Sequence, residues 1–139
     1  MGQLLEFATN HPILVAGVLA AWAAVLVYEL RLKNQGASNV SVGDAVRLIN
    51  RGALIIDVRK PEEFREGHIV NAKNIDFDEL EQKQSSLTKH KKKVLLTICD
   101  NGSNSSKAAS LLRKLGFEQS FSIRGGLTGW RSDNMPVEK

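Results

Sequence analysis

Cysteine is almost absent from this chain: Cys99 is the single one in 139 residues. A lone thiol cannot form an intrachain disulfide, so no argument for an oxidising compartment remains, and it cannot build a multi-cysteine zinc site. The histidines, His11, His68 and His90, have no metal-ligand spacing. The sequence therefore predicts neither a metal site nor another cofactor.

A strong excess of one charge is also missing. The net charge is +4, and acidic side chains are mixed with the basic ones after Tyr28, which is typical of a solvated surface and predicts no nucleic-acid partner. The basic cluster over residues 89–93 is the exception. It is either a solvated loop before a strand or a contact for anionic lipid headgroups or an acidic partner.

Charged side chains are absent between Phe7 and Tyr28, a stretch of 22 residues. At 1.5 Å per residue such a helix measures about 33 Å, enough for a hydrocarbon core of about 30 Å. We expect a transmembrane helix over residues 7–30, a polar linker over residues 31–39 and a domain over residues 40–138. A cleaved signal peptide is the alternative, but it would have a basic segment before the apolar run.

The basic residues Arg31 and Lys33 follow this span, and none precedes it. The positive-inside rule then places the N-terminus outside and the domain in the cytoplasm. We therefore expect a single-pass protein of a membrane, such as the bacterial inner membrane, in contact with its lipid.

The part after the linker alternates short apolar strands with helical segments. This alternation is typical of an α/β fold with a small, mainly parallel sheet flanked by helices. Three strand ends, at Asp57, Cys99 and Arg124, would then lie at one edge of the sheet. Strands are predicted over residues 40–42, 53–56, 94–98 and 121–123, and helices over residues 43–51, 61–66, 77–87 and 105–115.

Cys99 lies where a buried strand opens into a loop that leads into a helix. Free backbone N–H groups and the positive end of the helix dipole favour the thiolate, which is the nucleophilic form. The alternative is a structural cysteine buried at a strand end. Its place at the carboxyl end of a parallel strand, where α/β proteins bind ligands, favours the reactive interpretation.

Three ordered segments of the domain resemble the rhodanese family of sulfurtransferases. They run from Ile56 to Ile75, from Leu95 to Phe117 and from Gly125 to Val137. The similarity covers residues 40–138 and is greatest to single-domain rhodaneses tethered to a membrane by an N-terminal helix. It implies a rhodanese-like fold.

The resemblance implies that Cys99 is the catalytic nucleophile. It would take the outer sulfur of a donor, thiosulfate or a protein persulfide, hold it as a persulfide and pass it to a thiol or another acceptor. Backbone N–H groups of the substrate-binding loop would surround the sulfur. The loop consists of Asp100, Asn101, Gly102, Ser103, Asn104 and Ser105.

Related phosphatases of this fold have a loop one residue longer, so the resemblance disfavours a phosphatase. The hydroxyls of Ser103 and Ser105 either donate to the bound sulfur or, for Ser105, cap the helix. His68 is either a base or, as is more usual in such a loop, satisfied by backbone groups.

Four further residues are expected to support the loop. Asp57 and Arg59 would form a charged pair that braces neighbouring loops, and Gly125 and Gly126 would pack beside the Cys99 loop where side chains would clash.

The loop also departs from the family. Asp100 and Asn104 occupy positions where arginine is frequent. A unit negative charge at about 5 Å, at an effective dielectric constant of about 20, opposes a thiolate by on the order of 3 kcal/mol and repels an anionic donor. Thiosulfate is therefore expected to be a poor donor. A protein persulfide is one alternative, and a non-catalytic rhodanese-fold module that binds a membrane-protein partner is the other.

Overall fold

The computed structural model describes residues 1–36 and 38–139, with the backbone only for residues 33–36. The chain divides into two compact units, of which the first ends at Gly36 and the second contains the rest.

The first unit consists of helices α1 (Gly2–Asn10) and α2 (Pro12–Gly36). The helix expected from residue 7 is divided at His11, because Pro12 begins α2 at a position where its missing N–H is tolerated. Within α2, Pro12–Leu32 is long and apolar enough to cross a membrane. The helix extends six residues into the predicted linker of residues 31–39, in which Ala37 lies outside the described residues.

The second unit is an α/β domain. Its main sheet has the strand order β1-β6-β5-β2-β4 with every pair parallel, and β3 pairs with β7 antiparallel. The strands are β1 (Asn39–Val40), β2 (Leu54–Asp57), β3 (His68–Ile69), β4 (Lys73–Asn74), β5 (Leu95–Ile98), β6 (Ser120–Ile123) and β7 (Val137–Glu138). The helices are α3 (Val42–Asn50), α4 (Pro61–Glu66), α5 (Ser103–Lys114) and α6 (Gly126–Ser132), with 3₁₀ segments at Phe77–Glu79 and Gln84–His90.

Hydrophobic clusters cover both faces of the main sheet, as the central strands require. Side chains alternate along a strand, so Leu95 and Cys99 point to one face of β5 and Leu96 points to the other. The first face packs against α5 and the 3₁₀ segments, and the second packs against α3 and α6. The α/β fold with a parallel sheet flanked by helices is thus confirmed. Asp57 is the last residue of β2, and Cys99 and Arg124 directly follow β5 and β6.

Several element boundaries differ from those predicted. Helix α3 begins at Val42 because the Ser41 hydroxyl accepts a hydrogen bond from the Asp44 N–H at 3.1 Å, which caps the helix and ends β1 at Val40. Helix α5 begins at Ser103, two residues earlier than expected. Residues 77–87, predicted as one exposed helix, form two 3₁₀ segments instead.

Candidate active site

Cys99 follows strand β5 and meets the first turn of α5. Its Sγ accepts hydrogen bonds from the backbone N–H groups of Gly102, at 3.1 Å, and Ser105, at 3.3 Å. Ser105 belongs to the first turn of a 12-residue helix, where N–H groups have no partner inside the helix and the dipole is positive. The loop therefore surrounds the sulfur with donors that stabilise negative charge.

Cys99 is buried but borders a cavity. Cys99 is 4% exposed and packs with the core residues beneath it, yet it also lines a cavity of about 360 Å³. Cys99 therefore both packs against the core and borders the cavity. The other lining residues are Val58, Arg59, Lys60, Glu63, Asp76, Phe77, Asp78, Asp100, Asn101 and Asn104.

Two buried serines extend from the sulfur towards strand β6. The Ser105 hydroxyl oxygen lies 3.4 Å from Cys99 Sγ, and the Ser122 hydroxyl oxygen lies 2.8 Å from that of Ser105. Ser105 thus contacts the sulfur through its N–H and through its hydroxyl. The sequence-based site did not include Ser122, whose only signal was a polar residue inside an otherwise apolar strand.

Thr97 is a second residue that the sequence-based site did not include. Its hydroxyl donates to the Ser105 carbonyl at 2.7 Å and its side chain is fully buried. Because Thr97 and Cys99 lie on the same face of β5, this bond fixes the first turn of α5 relative to the sulfur.

The guanidinium of Arg59 connects three segments around the site. It donates to Asp57 from Nε, at 3.0 Å and 3.1 Å, and from Nη2, at 2.7 Å, and Nη2 also donates to the Gly67 carbonyl at 2.7 Å. Burial would lower the pKa of Arg59, but the hydrogen bond and charge of Asp57, with Asp100 and Glu63, outweigh it and raise the pKa. This pair does the bracing expected of Asp57 and Arg59.

Arg59 also reaches the loop itself. Its Nη1 lies 3.5 Å from an oxygen of the Asp100 carboxylate, whose side chain is 61% exposed. The carboxylate beside Cys99 is therefore paired with a cation from another segment, which offsets part of its effect on the sulfur.

Glycines allow α6 to pack against the Cys99 loop. Gly126 has φ +58°, and a Cβ there would lie 2.7 Å from the Asp100 carbonyl and closer still to the Cys99 oxygen. The backbone N–H groups of Leu127 and Thr128 donate to the carbonyls of Cys99 and Asp100, at 2.7 Å and 3.0 Å. Gly125 lies beside Gly102. A Cβ added to Gly102 would be only 3.3 Å from the backbone nitrogen of Gly125.

The remaining candidate residues lie farther from the sulfur or outside the cavity. The Asn101 side chain accepts from the Ser103 N–H at 3.0 Å and lies 3.9 Å from Sγ. Asn104 lines the cavity wall. His68 stacks on Phe64, with 3.7 Å between ring centroids and 2.8 Å from Nδ1 to the Phe64 carbonyl, and does not line the cavity.

The fold and the site together define a class of α/β proteins. In this class a loop between a parallel strand and a helix holds a cysteine sulfur with its backbone N–H groups. The sequence model of the family described as Rhodanese-like domain matches residues 41–133 of this chain. The protein therefore belongs to the rhodanese-like family.

Individual relatives are similar over most of the chain. The uncharacterized protein YibN of Escherichia coli is 32% identical over 139 residues, covering 99% of this chain and 97% of its own length. The thiosulfate sulfurtransferase GlpE of Tolumonas auensis is 30% identical over 95 residues, covering 68% of this chain and 88% of its own. The crystal structure of a rhodanese-related protein from Thermoplasma volcanium has a TM-score of 0.66 and 30% identity, covering 72% of this chain and 96% of that one.

Proposed function

We propose that this protein is a membrane-anchored sulfurtransferase of the rhodanese type that carries sulfane sulfur as a persulfide on Cys99. The proposal rests on the surroundings of Cys99. Its Sγ accepts hydrogen bonds from two backbone N–H groups, and the residue borders a cavity. The similarity to a thiosulfate sulfurtransferase that spans the domain supports the same chemistry.

The reaction has two steps, in which the outer sulfur atom moves from the donor to Cys99 and then from Cys99 to the acceptor. The Cys99 thiolate attacks the outer sulfur of the donor; a new S–S bond forms on Cys99 while the donor S–S bond breaks, and the donor leaves with the electron pair as sulfite or as a thiolate. An acceptor thiolate or cyanide then attacks the outer sulfur and regenerates the Cys99 thiolate. The chain has no second cysteine, so the acceptor is another molecule.

The loop stabilises the anion in both steps. The N–H groups of Gly102 and Ser105 already point at the sulfur, and hydrogen bonds to an ionised acceptor contribute about 1.5–3 kcal/mol each. The Ser105 hydroxyl can rotate to donate a further bond to the charged sulfur.

A sulfurtransferase assay on the full chain in detergent tests this function. With thiosulfate or a persulfide as the donor and cyanide as the acceptor, we expect thiocyanate formation above the uncatalysed rate, and we expect this excess to be lost in Cys99→Ser. The matched control is Ser110→Ala, an exposed serine farther along α5. Activity that survives in Cys99→Ser would contradict the assignment of the nucleophile.

The membrane anchor in this proposal is helix α2. Its large apolar side chains are exposed on all sides, including Ile13 at 86% and Trp22 at 71%, as lipid contact requires. We propose an outside N-terminus and a cytoplasmic domain, because Arg31 follows the span and no basic residue precedes it. A reporter fused to the N-terminus should be accessible from outside intact cells, and a reporter at the C-terminus should be accessible only after lysis. A C-terminal reporter that is accessible in intact cells would contradict this orientation.

A binding module of the same fold is the second candidate. The low exposure of Cys99 and the carboxylate of Asp100 beside it favour this role. It predicts a folded domain that accepts sulfur from no donor, and that binds its membrane partner equally well in Cys99→Ser.

A further inference from the structure

The cavity over Cys99 has acidic walls. Its lining contains four carboxylates and two cations. The carboxylates come from three separate segments, namely α4, the first 3₁₀ segment with its cap, and the Cys99 loop. The carboxylates are Glu63, Asp76, Asp78 and Asp100, and the cations are Arg59 and Lys60.

Of the two cations, Arg59 already has hydrogen-bond and ion-pair partners in the protein. The Arg59 side chain is 5% exposed, and its Nε and Nη2 are bound to Asp57 and to the Gly67 carbonyl. Its Nη1 faces Asp100. Because the fully buried Asp57 balances its charge, Arg59 offers little to an incoming anion. Lys60 is exposed to solvent and shares the cavity lining with Glu63, Asp76 and Asp78.

This arrangement opposes a small dianion such as thiosulfate. A cavity of about 360 Å³ is about 9 Å across, less than the Debye length of about 10 Å at 0.1 M salt, so its wall charges act on the ligand with little screening. The Asp100 carboxylate, next to Cys99 in the sequence and only partly offset by Arg59, adds to this repulsion.

The same charges attract a cationic polypeptide. Glu63 and Asp78 are exposed, so lysine or arginine side chains at the cavity mouth can reach them from solvent. A cysteine persulfide is small enough to enter the cavity and present its outer sulfur to Cys99. Complementary charges around such a mouth raise the rate of encounter and select between partners.

We propose that the sulfur donor is a cysteine persulfide flanked by basic residues in another polypeptide, selected by the carboxylates around the cavity. This proposal depends on the sulfur-transfer function above. The Cys99 thiolate attacks the outer sulfur of the donor, the S–S bond of the donor breaks, and the donor cysteine leaves as a thiolate that takes a proton from solvent.

Three synthetic peptides test the selection. They carry one persulfidated cysteine flanked by lysine, by serine or by glutamate, and the rate of sulfur addition to Cys99 is followed by quenched-flow mass spectrometry of the full chain in neutral detergent. We expect the lysine peptide to react about tenfold faster than the glutamate peptide at low salt, and the ratio to fall as salt is added. Thiosulfate is expected to react more slowly than the lysine peptide.

A double variant, Asp76→Asn/Asp78→Asn, tests the source of the selection. Asparagine keeps the oxygen through which Asp76 accepts the Asp78 N–H, at 3.1 Å, so the 3₁₀ cap is retained. We expect the lysine-to-glutamate rate ratio to fall at least threefold in this variant. The matched control is Glu118→Gln, an exposed carboxylate beyond the opposite edge of the sheet, which should leave the ratio unchanged.

The outcomes separate this inference from the function on which it depends. Equal rates for the three peptides, a faster glutamate peptide, or a faster reaction with thiosulfate would overturn the basic-donor inference while sulfur transfer stands. The absence of sulfur addition from every donor would contradict the sulfurtransferase function itself, and the inference with it.

Discussion

Arg59 and Asp100, 41 residues apart in the sequence, form an ion pair 3.5 Å long at the mouth of the site. The same guanidinium binds the buried Asp57 behind it. One side chain thus joins the end of β2 to the loop after β5, and it carries the positive charge that the Cys99 loop lacks.

Substitution of Arg59 by alanine should destabilise the domain strongly. It would leave Asp57, fully buried, without its cation, and the loss of one partner of a buried pair costs about 3–5 kcal/mol. The control is Arg47→Ala, which removes an exposed pair with Asp44 and should cost less than about 1 kcal/mol. Urea denaturation measures both, and equal small losses would show that the brace contributes little.

Gly126→Ala should disrupt the Cys99 loop. The new Cβ would meet the carbonyls of Cys99 and Asp100 well inside van der Waals contact, so either α6 or the loop must move. We expect loss of both sulfur transfer and stability. Gly52→Ala is the control, because Gly52 also has a positive φ, +95°, but no atom lies within 4 Å of its Cβ position. It should cost only the backbone strain of about 1–2 kcal/mol; comparable damage in the two variants would contradict the packing argument.

Ser105→Ala should slow the formation of the persulfide while keeping the N–H donor to Sγ. The lost hydroxyl lies 3.4 Å from the sulfur, and a hydrogen bond to a charged group contributes about 1.5–3 kcal/mol, so we expect a rate between about 10-fold and 150-fold lower. Ser110→Ala, at an exposed position farther along α5, is the control. Single-turnover kinetics measures the effect at a temperature where both variants are folded, and equal rates in the two variants would remove the hydroxyl from the mechanism.

The domain should lose stability in mild acid through His90. Partial burial, followed by the charges of Lys73, Lys93 and Lys89, lowers the pKa of His90 below its ordinary value of 6.5, and among the described residues neither ring nitrogen has a hydrogen-bond partner. Below pH 6.5 the unfolded chain then binds more protons than the folded one, so the free energy of unfolding falls as the pH falls.

The measurement compares the wild type with His90→Gln. Between about pH 7.5 and pH 5.5 the variant should lose less of its free energy of unfolding than the wild type loses. An equal loss of the free energy of unfolding in the two proteins would show that groups other than His90 cause the acid sensitivity.

The sequence predicted the parts of this protein that depend on local patterns. The apolar runs of β2 and β5, the periodicity of α5 and the position of Cys99 between them led to the parallel sheet and its carboxyl edge. The family resemblance led to the prediction that the loop binds the sulfur, which the experiments proposed above test. These features depend on residues that are close together along the chain.

What the sequence did not reveal depends on contacts between distant segments. The pairing of β3 with β7 joins His68 to Glu138, and neither segment has a strand signal of its own. The hydroxyls of Thr97 and Ser122 belong to the site only because β6 lies beside β5 and α5 covers both. The acidic cavity wall likewise combines three segments that no local pattern connects.

Intact-mass spectrometry of the full chain, after exposure to a persulfide donor, tests the central claim most directly. The account predicts a gain of about 32 Da, one sulfur atom, that maps to Cys99, is removed by cyanide and is absent from Cys99→Ser. A chain that remains unmodified after exposure to thiosulfate and to persulfide peptides of either charge would contradict it.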